Sequence, residues 1–284
     1  MELKFRKIHV DSRFRSTGSH SDFTYELAET FDCPDGCICF LDNAVIPMSW
    51  DSVGEHNRFL YLAERDRTNL PYVYHVRRLE LSRQFYSGVT LRKAIEDQLN
   101  ANVPSPITNN YTVTYDSSSN TLTISHPGPT PPNSDFYLLT DDDLKYYNSN
   151  LLAINKSNPQ SANNVLRNLE STQIITAVEN YPYVTSWTSP FIDIVNHHSV
   201  YIHSSLASFN TLGPRGESTI IAKVPASATW GSTIFHNVSS MADYVDVGKR
   251  NISNLSFALK DASGNTIDLK GASWSLSLVF SIKE

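Results

Sequence analysis

NISNLSFALKDASGNTIDLKGASWSLSLVFSIKE, Asn251 to Glu284, is the stretch whose reading decides the fold. Leu255, Phe257 and Leu259 alternate with Ser256 and Ala258. Asp261 to Asn265 then forms a turn from residues that tolerate left-handed backbone or bond their own main chain. A short extended piece carries Ile267 and Leu269. In the final strand Trp274, Leu276, Leu278, Phe280 and Ile282 share one face. Ser273, Ser275, Ser277 and Ser281 hold the other, with Val279 the exception. A period of two means a sheet with one buried face and one small, polar face. So apolar a strand would invite aggregation at an open edge. It is therefore expected at the centre of a sheet, with strands from earlier in the chain beside it.

The 284 residues suffice for one large β domain or two smaller ones. Hydrophobic residues make up 40% and aromatics 11%, enough for a core, while charged residues reach only 18%. Ser, Thr and Asn carry the polar surface instead, a composition that suits a protein packed against neighbours. A net charge of −6 argues against a non-specific grip on nucleic acid. The first residues lack the apolar core of a secretory signal, and no run has the length of a membrane-spanning helix. Synthesis inside the cell and no membrane partner are the expectations. Cys33, Cys37 and Cys39 are an odd, clustered set, read as small apolar strand residues and not as a disulfide framework or a zinc site.

Over residues 1–20 basic and apolar residues alternate, with Lys4, Arg6, Lys7, Arg13 and Arg15 among Leu3, Phe5, Ile8, Val10 and Phe14. The pattern fits an edge strand with a solvated face, or an arm that lies on another subunit or on nucleic acid through salt-sensitive contacts. Phe23 to Leu27 reads as a short strand and Cys37 to Trp50 as a central one ended by Pro47. Phe59–Leu62 and Tyr72–Leu81 are further strands, with Arg65 to Asn69 as a loop between them. Leu91, Ala94, Ile95, Gln98 and Leu99 share a helix face, with Thr90 placed to cap it. Tyr111–Tyr115 and Thr121–Ile124 form a hairpin. Thr140 and Asp143 have capping-box spacing, and a short helix is expected near Ala162–Leu169. Strands resume at Phe191–Val195, Ser199–Ile202, Ser218–Val224, Ser232–His236 and Tyr244–Val247.

No motif for catalysis emerges: no nucleophile elbow, no phosphate-cradling glycine loop, no His-Glu-x-x-His. His197 and His203 are too far apart on a strand to chelate a metal. No Asp/Glu pair marks an acid and a base. Arg215-Gly216-Glu217 matches an integrin-type loop only in part. Neither an enzymatic activity, a cofactor, a metal nor a small-molecule substrate is expected.

Four stretches together resemble one family. They are Val10 to Arg15 with Ser21 to Leu27 and the strand reaching Pro47; Tyr86 to Asn100 with Tyr111–Tyr115 and Leu122–Ile124; Val200 to Leu206 with Ile220–Pro225, Trp230 and Gly231; and Leu259, Asp261, Gly264 with Ser275–Phe280. The combination is similar to minor capsid (penton) proteins of polinton, adintovirus and virophage-like double-stranded DNA viruses. The resemblance implies an antiparallel jelly-roll β-sandwich with an inserted α+β subdomain. It implies an arm over 1–19, a roll from 20–70 plus 191–284, and an insertion over 72–190. It also implies a homopentamer at the vertex of an icosahedral capsid, in the virion, made in the host cytoplasm and assembled there or in the nucleus. A major capsid protein and a host receptor would be the partners. Lys4, Arg6, Lys7, Arg13 and Arg15 are then the candidate interaction residues. The competing readings are a double jelly-roll major capsid protein forming trimers and a receptor- or glycan-binding β-sandwich with Trp187 and Trp230 as contacts.

Overall fold

The structure, a computed structural model, describes residues 5–66, 73–103, 110–126, 134–146, 159–169, 185–207, 211–237 and 244–282. The strands are β1 (Phe5–Asp11), β2 (Thr17–Gly18), β3 (Asp22–Asp32), β4 (Cys37–Pro47), β5 (Phe59–Asp66), β6 (Val73–Glu80), β7 (Thr112–Asp116) and β8 (Thr121–Ser125). They continue as β9 (Ser134–Leu138), β10 (Ser186–Thr188), β11 (Ser199–Ser204), β12 (Ile220–Pro225), β13 (Thr233–Asn237), β14 (Tyr244–Asp246), β15 (Asn251–Lys260) and β16 (Ser275–Ile282). The helices are α1 (Gly88–Asn100), α2 (Asp141–Tyr146) and α3 (Asn163–Leu166). The chain divides into two units, Met1–Trp50 with His197–Glu284, and Asp51–Asn196.

In the first unit β16 lies between β1 and β4, antiparallel to both, as its apolar face requires. Leu276 stands opposite Val10 and Ala44, and Leu278 opposite Ile8 and Leu41. This sheet runs β1-β16-β4-β13, with β14 also on β4; the other runs β12-β11-β15-β3-β2. Take β2 with β3 and β14 with β13, and eight strands remain. The first, eighth, third and sixth form one sheet; the fifth, fourth, seventh and second form the other. Every pairing is antiparallel. That order is a jelly roll, which buries one face of each sheet against the other. Phe31 of β3 meets Phe280 of β16 edge-on at 5.0 Å, joining the two sheets across the core.

The second unit departs from the roll between its third and fourth strands. Its sheets are β6-β5-β9 and β10-β8-β7. Helix α1 starts at a reciprocal cap, in which Ser87 Oγ accepts from the Thr90 amide and Thr90 Oγ1 from the Ser87 amide. Leu91, Ile95 and Leu99 of α1 join Leu60, Leu62, Val113, Leu122 and Phe136 in one core. The opposite face of β5 builds a smaller core with Phe59, Tyr61, Ala63, Leu139 and Leu144. β5 is thus covered on both faces, and all of it but Asp66 is buried.

Several expectations need correction. Residues 5–11 are not an arm but a paired strand, because their apolar alternation matches the register of β16. The roll ends at Trp50 and resumes at His197, so 51–70 and 191–196 fall outside it. The reason is that β5 pairs with β6 and β9 and with no strand of the roll. Arg65 and Asp66 continue β5 instead of opening a loop, since buried partners hold Arg65; residues 67–70 lie outside the described residues. Ser87, not Thr90, is the helix cap. Phe191–Val195 is no strand; the strand of that region is β10. The capping box at Thr140 and Asp143 is present, with the Thr140 amide donating to Asp143 Oδ2 at 2.9 Å and the Asp143 amide to Thr140 Oγ1 at 3.2 Å.

Candidate assembly surface

The basic residues singled out by the sequence do not form one patch. Lys4 lies outside the described residues. Period two puts Arg6 and Lys7 on opposite faces of β1. Arg6 stacks over the Phe31 ring at 5.0 Å and reaches Glu29 at 3.6 Å. Lys7 pairs with Asp42 at 2.7 Å, and that hydrogen bond holds the Asp42 carboxyl below its ordinary range. Asp42 sits where the register of β4 on β16 slips, a bulge that turns its side chain toward β1. Arg13 grips Asp11 with both Nε, at 3.0 Å, and Nη2, at 2.6 Å, and so lowers the Asp11 pKa. Arg15 donates to the carbonyls of Ser12 and Gly18, each at 2.9 Å, and closes the turn around them. Each described cation is engaged within its own unit.

The outer face of the β1-β16-β4-β13 sheet carries a second set of apolar residues. On β4, Cys37, Cys39, Leu41, Ala44 and Ile46 point inward and are buried. Ile38, Phe40 and Val45 take the other face and are half-buried. Val279 stands opposite Phe40, and Phe235, 65% exposed, stands opposite Val45. Between these large residues lie Ser275, Ser277 and Ser281 of β16. Ser277 is buried and hydrogen-bonded to His9 Nδ1 at 2.8 Å, so this part of the serine face is already closed within the chain. A strand that faces water on one side alternates apolar and polar residues; near-continuous apolar runs belong to strands covered on both faces. The unbroken apolar run Cys37 to Leu41 carries this signal in the sequence.

Other singled-out residues are structural. Cys33, Cys37 and Cys39 are buried free thiols, and burial pushes all three pKa values up. Among the described residues no group of three His, Cys, Asp or Glu is placed to hold a metal. His203 is buried, bonds Thr219 Oγ1 at 2.7 Å, and titrates below its ordinary value because burial disfavours the cation. His197 lies beside the Trp50 ring at 6.0 Å. Arg215 donates to the Ser263 carbonyl, and its amide to Glu217 at 2.9 Å, so the Arg215–Glu217 turn is braced by its own charges. Trp187 packs against the core of the second unit, and the Trp230 indole donates to the Trp50 carbonyl at 3.1 Å.

No family model matches this sequence, and no curated protein matches it. Solved structures do. The mavirus penton protein superposes with a TM-score of 0.56 at 11% identity, over 98% of this chain and 99% of that one. A chain of the Sputnik virophage structure superposes with a TM-score of 0.53 at 12% identity, over 99% of each chain. From end to end, insertion included, this chain has a fold similar to the mavirus penton protein and to that chain of the Sputnik virophage.

Proposed function

We propose that this chain is a structural capsid protein of the penton type. One observation carries the reading: the likeness to the mavirus penton protein runs through the whole of both chains, not the roll alone. A chain built for a shell is also expected to leave an apolar sheet face for a neighbour, and the outer face around Phe40, Val45, Phe235 and Val279 fits that need. The oligomer is then a homopentamer, a closed ring of heterologous contacts, with a major capsid protein as its further partner. Its place is the virion, and its role calls for no catalysis. A trimeric double jelly roll is not favoured, because the described residues of the second unit form two three-stranded sheets and three helices instead of a second roll. A glycan-binding role for Trp187 and Trp230 is not favoured either, since Trp187 packs against a core and the Trp230 indole N–H is already taken by the Trp50 carbonyl.

Native mass spectrometry of the purified chain, alone and with the major capsid protein of the same virus, tests the reading. A pentamer supports it, and a trimer in both samples overturns it. Phe235→Asp is expected to abolish the pentamer while leaving the fold intact, because a residue this exposed contributes little to the monomer. Charge reversal at Arg6 and Lys7 tests the basic segment separately. Exposed ion pairs contribute about 0–1 kcal/mol, so the double variant will fold. Reduced capsid yield from it would place these residues at a contact, and unchanged yield would remove them.

A further inference from the structure

His126 follows β8 in the second unit and is 1% exposed. Its amide donates to the Thr185 carbonyl at 3.0 Å, but neither ring nitrogen has a hydrogen-bond partner among the described residues. The ring packs against Tyr111, 5.5 Å away and edge-on, and Phe136, 5.6 Å away, and these two touch each other at 5.4 Å, so the three rings form a closed cluster. Buried polar groups are rarely left unpaired, because each costs the water it gave up. A neutral imidazole, flat and partly aromatic, is the form of histidine that such a slot tolerates best.

We propose that His126 makes the insertion unit acid-sensitive: the slot accepts the neutral ring, and protonation drives the unit open. The surrounding charges explain why the cation finds no relief. Glu64 of β5 already accepts from Arg77 Nε at 2.7 Å and from the Tyr111 hydroxyl at 2.7 Å. Asp135 of β9 already accepts from Arg65 Nε at 2.9 Å and from the Tyr137 hydroxyl at 3.1 Å. Both carboxylates favour the imidazolium electrostatically, yet burial outweighs them and lowers the pKa of His126. On β6, His75 stands opposite Glu64 and adds a second titratable ring to the same row. An imidazolium at 126 must therefore take a carboxylate from its arginine or admit water.

The sign follows from linkage. His126 protonates at about pH 6.5 in the unfolded chain, and burial in the folded unit opposes that protonation. Stability is thus fully present above the unfolded pKa and falls as pH drops below it. The inference does not depend on the penton reading, since it concerns the unit itself.

The experiment uses the full chain labelled with 5-fluorotryptophan. Of the four tryptophans only Trp187 falls within residues 51–196, so its fluorine resonance reports on this unit. Its urea midpoint is expected to fall between about pH 7.5 and about pH 5.5, the range in which histidine changes charge. His126→Phe should remove at least half of that fall, and an undiminished fall overturns the proposal. Imidazole NMR of the unmodified chain decides independently of whether the variant folds. His126 should stay neutral through the range in which an ordinary histidine changes charge; protonation of His126 in that range, with the unit intact, also overturns the proposal.

Discussion

Asp135→Ala will destabilise the insertion unit by about 3–5 kcal/mol, the usual cost of leaving one member of a buried ion pair behind. Arg65 and Asp135 are both fully buried, and the guanidinium reaches the carboxylate through Nε and Nη2. Tyr137 ties them further, since its hydroxyl accepts from Arg65 at 3.0 Å and donates to Asp135 at 3.1 Å. Removing the carboxylate strands a positive charge inside the strand pair that holds the unit together. The paired replacement, Arg65→Met with Asp135→Leu, should recover most of the loss, because it removes both charges and keeps apolar volume. Urea unfolding followed at Trp187 measures both. A loss below about 1 kcal/mol for the single variant would show that water reaches the pair, the regime in which ion pairs contribute little.

Trp274→Ala should cost the roll about 3–5 kcal/mol, the range for deleting a buried large aromatic. Trp274 is buried immediately before β16, and its ring packs against the sheet that β16 does not belong to. Its ring lies 5.8 Å from Phe23 of β3 and 6.5 Å from Phe257 of β15. Its indole donates to the His20 carbonyl at 2.7 Å, and its backbone exchanges hydrogen bonds with Ser12 at 2.9 and 3.0 Å. The residue thus anchors the turn after β1 to the start of the central strand. Trp274→Phe keeps most of the packing and loses the N–H, so a smaller cost, about 1–2 kcal/mol, is expected. Equal losses for Ala and Phe, by chemical unfolding of the full chain, would mean that the hydrogen bond and not the packing holds this corner.

Much of the roll was legible because its strands obey period two. β16 announces its central place through Leu276, Leu278 and Phe280, and β4 its end through Pro47. What stayed hidden has a common cause: residues whose meaning depends on a partner far along the chain. Arg65 and Asp66 read as loop because charged residues are seldom buried. Asp135, seventy positions on, makes Arg65 a strand residue. Lys7 reads as part of an exposed basic stretch until Asp42, on another strand, comes into place beside it. The outer face of β4 was visible as apolar, but only register shows Phe235 and Val279 beside it.

Local pattern alone determined that this is a β protein whose final strand is buried in the middle of a sheet, since alternation of large apolar and small polar residues has no other low-energy placement. The tertiary structure alone decided which strands flank it, where the roll yields to the insertion, and which buried charges meet. Those outcomes rest on pairings between residues tens to hundreds of positions apart, and side-chain periodicity carries no information about distant partners.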